Sequence, residues 1–136
     1  EDYRLAFLLN KALNLKLTRQ VYDIDNNNLQ ANFSIFEWED HAQFKTWNLV
    51  SNTCKVTSNQ LDNNTNSLFS LNSPVTKTHH LVPEYGKVNY LLKINNECHT
   101  NKEKFILEKI LKIDQVITAY SIAQESLKSK DQLILN

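Results

Sequence analysis

A chain of 136 residues, 41% hydrophobic and 22% charged, has the length and usage of one folded domain, which excludes a wholly disordered, collagen-like or coiled-coil chain. Its 15 Lys+Arg cancel its 15 Asp+Glu, so no global field draws it to phosphate backbones or anionic lipid, and neither nucleic acid nor membrane is expected as a partner. The single glycine, Gly86, excludes phosphate loops built on several glycines, and Cys54 and Cys98 lack the C-x-x-C spacing of a zinc ribbon or a thioredoxin-type pair.

Residues 1–17 place Leu5, Leu8, Leu9, Ala12 and Leu13 on one helical face, opposite Arg4, Asn10, Lys11 and Asn14. An amphipathic helix is expected, lying on a sheet. From Phe33 the pattern turns aromatic and β-branched. Residues 33–38 and 46–50 read as two strands of an antiparallel hairpin, separated by the polar stretch 39–43. Residues 58–73, mostly Asn, Ser, Thr, Asp and Gln, read as a long mobile loop. A second hairpin is expected from strands at 77–82 and 87–94, joined tightly through Pro83-Glu84-Tyr85-Gly86, with Gly86 at positive φ.

Thr100-Asn101-Lys102-Glu103 fits a capping box, and Phe105, Ile106, Ile110, Leu111 and Ile113 supply the face of a second helix. Residues 116–122 read as a strand, 126–130 as a helical turn and 132–135 as a last short strand. The whole predicts a single α+β domain over 1–136: a mostly antiparallel sheet with two main helices packed on one face. A strand before Glu1 would bring this close to a ferredoxin-like arrangement with extra central strands. The chain has no methionine, even at position 1, which predicts residues before Glu1.

Candidate chemistry is sparse. Glu37 and Glu39 flank Trp38 and fall on one face of a strand, where two carboxylates can share a proton or a cation. Adjacent His79 and His80 point to opposite strand faces, so regular β geometry cannot bring both to one metal. A zinc site would have to be assembled with His41, Cys98 and His99 from distant segments. Neither Cys54 nor Cys98 has an orienting base in sequence beyond the neighbouring His99, so nucleophilic catalysis is not expected. No metal or cofactor is expected. The aromatics Phe33, Phe36, Trp38, Phe44, Trp47, Tyr85 and Tyr90 interleave with few basic residues and read as sheet core.

The segment Val82-Pro83-Glu84-Tyr85-Gly86-Lys87-Val88-Asn89-Tyr90 resembles the signature of the IPExxxVDY family of small bacterial proteins of unknown function. Residues 2–10, 33–40, 47–49 and 127–131 resemble further blocks of that family. Val82 stands where the signature has Ile, and Asn89 where it has Asp, so no acid at that place serves general acid/base catalysis in this chain. The resemblance implies a short segment before the first helix and assigns no catalytic residue, cofactor or ligand.

With no phosphate or metal motif, the expected function is a non-catalytic binding or protein-interaction module in the cytoplasm. Glu84 and Tyr85, and then Glu37, Glu39 and Trp38, are the residues to touch a protein or small-molecule partner. The alternatives are an enzyme using Glu37 and Glu39 with a histidine, or an oligomeric scaffold, such as a homodimer, pairing through an edge strand or through Leu133-Ile134-Leu135. Pro83, Glu84, Val88 and Tyr90 are expected to act first as a folding and positioning device, with the Glu84 carboxylate accepting backbone N–H groups or a Lys/Arg partner.

Overall fold

A computed structural model of the chain describes residues 1–26, 31–58, 75–96 and 103–122. Helix α1 (Asp2–Leu13) leads through Leu15 and Leu17 into β1 (Thr18–Arg19), followed by β2 (Ile24–Asn26), β3 (Ala31–Phe33), β4 (Ile35–Asp40), β5 (Lys45–Ser51) and β6 (Thr53–Ser58). Strand β7 (Val75–His80), a 3-10 turn at Pro83–Tyr85, β8 (Tyr90–Asn96) and helix α2 (Glu103–Leu111) complete the described elements. The main sheet has the order β1-β4-β5-β8, and β2-β3 and β6-β7 form separate two-stranded ladders. Every pairing is antiparallel, so the architecture is the expected α+β one.

Strand β5 organises the packing. Its alternating side chains are buried on both faces, Trp47 and Leu49 on one and Asn48 and Val50 on the other. The register sets Phe36 opposite Leu49 and Trp38 opposite Trp47, with Leu92 and Ile94 across from the same two β5 residues. This face meets Ala6, Leu9, Leu15 and Leu17 from α1 and its exit, together with Ile106, Ile110 and Ile113 from α2 and its end. On the opposite face Ile35, Val50 and Leu91 pack with Ala31, Phe33, Leu81, Val82, Cys54 and Val56, so the two small ladders cover the apolar end. Trp47 Nε1 is buried without a hydrogen-bond partner among the described residues.

Helix α1 ends where Asn14 turns left-handed at φ 54° and ψ 49°, a conformation Asn tolerates better than most residues. The Leu15 N–H closes back on the Asn10 carbonyl at 3.0 Å. Asn10, expected on the polar face, instead clamps the exit: its Oδ1 accepts the Leu17 N–H at 2.9 Å and its Nδ2 donates to the Leu17 carbonyl at 3.2 Å. Along α2 the inward stripe is Ile106, Ile110 and Ile113. Phe105 and Leu111, expected with them, are exposed, and the Lys109 ammonium lies 4.6 Å from the Phe105 ring centroid.

The hairpin expected at 33–50 forms as β4–β5. Its turn is built by Asp40, whose Oδ1 accepts the N–H groups of Ala42 at 3.1 Å and Gln43 at 3.3 Å, and closes at Phe44 with φ 52°. The second expected hairpin does not form. Strand β7 pairs with β6, and β8 pairs with β5, because Leu81 and Val82 are fully buried and carry the chain from one ladder to the other. Val88, expected within the strand, precedes it.

Residues 116–122, expected as a strand and required as one by a ferredoxin-like arrangement, are coil. The Val116 N–H is taken by the Ile113 carbonyl at 3.0 Å as the helix unwinds, and Ile117 is fully exposed. Of the loop expected at 58–73, Ser58 instead ends β6, paired with Val75, and the rest lies outside the described residues, as do the expectations for Thr100, 126–130 and 132–135.

Candidate functional site

Residues 82–89 are organised from behind by one residue that the sequence did not single out. Asn52 follows β5 at 0% exposure. Its Oδ1 accepts the Val82 N–H at 2.7 Å, and its Nδ2 donates to the carbonyls of Tyr85 at 3.0 Å and Val88 at 2.9 Å. Its own N–H donates to the Asn89 carbonyl at 2.9 Å, and its carbonyl accepts the Leu81 N–H at 3.0 Å. A side-chain amide offers donors and an acceptor on one short stem, which suits it to a loop that presents carbonyls and an N–H together.

Within that frame Val82 is extended at φ −118° and ψ 91°, as a residue before proline prefers, and Pro83 opens the 3-10 turn where its missing N–H costs nothing. The Tyr85 N–H returns to the Val82 carbonyl at 3.1 Å, and the Val88 N–H to the Tyr85 carbonyl at 3.0 Å. Gly86 does not take the expected positive φ. It sits at φ −60° and ψ −19°, because the turn continues as helical backbone.

The outer side of this turn forms an open groove of about 550 Å³ lined by His80, Pro83, Glu84, Tyr85, Gly86, Lys87 and Tyr120. The rings of Tyr85 and Tyr120 stand 6.4 Å apart between centroids at an interplanar angle of 48°, making a wedge. Tyr120 reaches it from the coil after α2, a segment also tied to that helix by the Ser121 hydroxyl donating to Glu103. His80 Nδ1 is buried and has no partner among the described residues. With the proton on Nε2, Nδ1 is a bare acceptor rather than an orphaned donor, and the Nε2 edge lies toward Gly86. Glu84, which also lines the groove, has an interaction of its own.

Glu37 and Glu39 do share a strand face, the one that also carries Ile35, but they lie beyond the apolar end against which Leu81, Val82 and Tyr85 pack, and neither lines the groove. Glu37 lies in one register row with Thr18, Asn48 and Lys93, and its Oε2 accepts from Asn48 Nδ2 at 3.0 Å. Burial holds the Lys93 ammonium below its usual pKa. Glu39 faces solvent with His41 Nε2 at 3.7 Å, an exposed contact without an enclosing pocket. Trp38 points the other way, into the helix-side core. The five expected contact residues therefore divide: Glu84 and Tyr85 line the groove, Glu37 and Glu39 lie on the open end of the sheet, and Trp38 packs inside.

His79 and His80 diverge as expected, His79 opposite Cys54 and His80 opposite Thr53 in the β6–β7 register. Cys98 and His99 lie outside the described residues. Among the described residues no group of three or more His, Cys, Asp and Glu is placed to hold a metal ion, and no helix is long and apolar enough to cross a membrane.

His80, Lys87 and Tyr120 are among the groove residues that sequence reasoning missed. The histidine pair was recognised, but only the strand register shows which member faces the turn, and Tyr120 arrives through tertiary packing that no local pattern encodes. Compared with known proteins, the chain matches no family model, no curated protein and no solved structure.

Proposed function

We propose that the chain is a non-catalytic binding module whose ligand lies in the groove of His80, Pro83, Tyr85 and Tyr120. The observation that carries this reading is an aromatic-walled groove on a turn whose backbone is held from inside by Asn52. A rigid support behind exposed rings lowers the ordering cost of binding. Its volume lies within the range of about 300–1,000 Å³ common to ligand sites, and its lining sets the two tyrosine rings and Pro83 beside the polar groups of His80, Glu84 and Lys87. We also propose that this turn is what underlies the resemblance to the IPExxxVDY family, its first residues serving as buried anchor and its later ones as ligand surface.

Titration of the isotope-labelled chain with a library of small aromatic and dipolar fragments, followed by amide NMR, tests this. Shifts are expected at 80, 84–87 and 120, and they are expected to fade in Tyr120→Ala with melting unchanged. Shifts gathered instead on Glu37, Glu39 and His41 would move the site to the open sheet face and favour the acidic enzyme reading.

A further inference from the structure

We propose that Lys45 and Trp47 form a second binding site, for a small monocarboxylate anion, at the hairpin end of the helix-side layer. Both residues lie on the face of β5 that carries Leu49, two positions and so about 7 Å apart along the strand. Lys45 is 8% exposed and Trp47 is 5% exposed. The indole Nε1 is buried with no acceptor, and among the described residues no hydrogen bond or ion pair holds the Lys45 ammonium. A buried donor without a partner forfeits the bond it would make with water, and lysine is seldom enclosed unless it is paired. Two such donors, neighbours on one strand face, call for an acceptor able to meet both.

The acid best placed within the sheet is committed elsewhere. Asp40 is the register partner of Lys45, but its Oδ1 accepts the Ala42 and Gln43 N–H groups that close the hairpin turn. Across from Trp47 stand Trp38 and Ile94, which bring apolar surface and no carboxylate. The donors themselves select the ligand. One is an ammonium on a flexible four-carbon stem that can swing toward the indole edge, and the other is a neutral N–H with a single hydrogen to give. A carboxylate offers two oxygens and one negative charge, so it meets both donors and neutralises the one cation. Phosphate near neutral pH carries more than one negative charge, and the excess would be enclosed without a counter-ion. The half-buried Trp38 and Ile94 suit a short apolar tail on the acid, and the exposed Phe44 beside Lys45 marks the side open to solvent.

The chain has two tryptophans, so the isotope-labelled full chain gives two indole N–H signals to follow, Trp47 as reporter and Trp38 as its neighbour. The probe is butyrate, titrated at an ionic strength held constant with sodium chloride, beside inorganic phosphate and chloride alone. Butyrate should move the Trp47 indole signal downfield to saturation, phosphate should bind at least about tenfold more weakly, and chloride should give no saturable shift. Lys45→Gln, which removes the charge and keeps a polar stem, should weaken butyrate at least about tenfold. Trp47→Phe, which removes the N–H, should weaken it about fivefold as read from the amides of 45–47. Melting curves check that each variant folds, and Lys45→Gln decides alone if Trp47→Phe does not.

A Trp47 signal that drifts only with ionic strength, phosphate binding as tightly as butyrate, or an unchanged butyrate affinity in Lys45→Gln would each overturn the assignment. Butyrate shifts confined to 80, 84–87 and 120 would overturn it too, and would leave the groove standing as a site.

Discussion

Replacing Asn52 by Ala removes one acceptor and two donors from a place that water does not reach, at 0% exposure. The Val82 N–H and the carbonyls of Tyr85 and Val88 then lose their partner. A hydrogen bond contributes about 1 kcal/mol net when its partners regain water, and a buried group left bare costs up to about 3 kcal/mol. Part of the cavity would hydrate, so the sum for three bonds falls at about 3–5 kcal/mol, a large part of the roughly 5–15 kcal/mol that holds a typical domain. At roughly 3–5 °C per kcal/mol for a chain of this size, melting should drop by about 10–20 °C.

Asn52→Asp retains an oxygen for the Val82 N–H but turns a second oxygen toward two carbonyls. It should be at least as destabilising at neutral pH and recover partly on acidification, when the protonated acid can donate. Urea unfolding followed by far-UV circular dichroism and tryptophan fluorescence measures both variants, and amide exchange at Val82 and Val88 localises the effect. An Asn52→Ala variant within about 1 kcal/mol of the native chain, with Val82 still protected, would refute the argument that the turn hangs from this side chain.

Gly86→Ala should be neutral or stabilising by up to about 1 kcal/mol. Its φ is −60°, and the new Cβ would meet the Pro83 carbonyl oxygen at 3.5 Å and the His80 ring at 3.7 Å, both ordinary contacts. A fall in the urea midpoint would contradict this. Phe44→Gly should stabilise by about 1 kcal/mol, since it relieves a left-handed φ of 52° on a residue 63% exposed. A lower midpoint would mean that the ring makes contacts worth more than the strain. Tyr90→Phe should resist alkaline unfolding better than the native chain. Burial, with Asp2 and Glu1 nearby, raises the Tyr90 pKa, so the stability held by its neutral phenol is intact below the ordinary value of 10.0 and is lost as pH climbs through the raised one. Superimposable alkaline limbs in a fluorescence titration would refute that assignment.

What the sequence disclosed follows the range of the forces involved. The period of Leu9 and its neighbours and the alternation from Ile35 to Val50 are local, and the helix and hairpin they predict are present. The β6 strand was missed because Thr53-Cys54-Lys55-Val56 is short and mixed, and becomes a strand through its partner β7 rather than through propensity. Glycine chemistry misled at position 86, where helical backbone continued by the 3-10 turn removes the need for a positive φ. The turn at Pro83 was legible in the sequence and its support was not, since Asn52 bonds to residues 33 and 36 positions away. Glu84 and Tyr85 were named from their place in a turn, whereas Tyr120 and His80 join them only through the packing of three separate segments.

Strand β5 sends side chains into both apolar clusters and then delivers Asn52 to the Pro83 turn. No boundary therefore separates a supporting layer from a presenting one: loosening the turn means pulling on the same strand that carries Trp47 and Leu49 under the helices. Such coupling denies the groove an inexpensive open state. A ligand bound there would meet a surface already in its bound form, so stabilising the helix-side core from a distance should leave affinity at the groove unchanged, while binding should raise the melting temperature of the whole sheet.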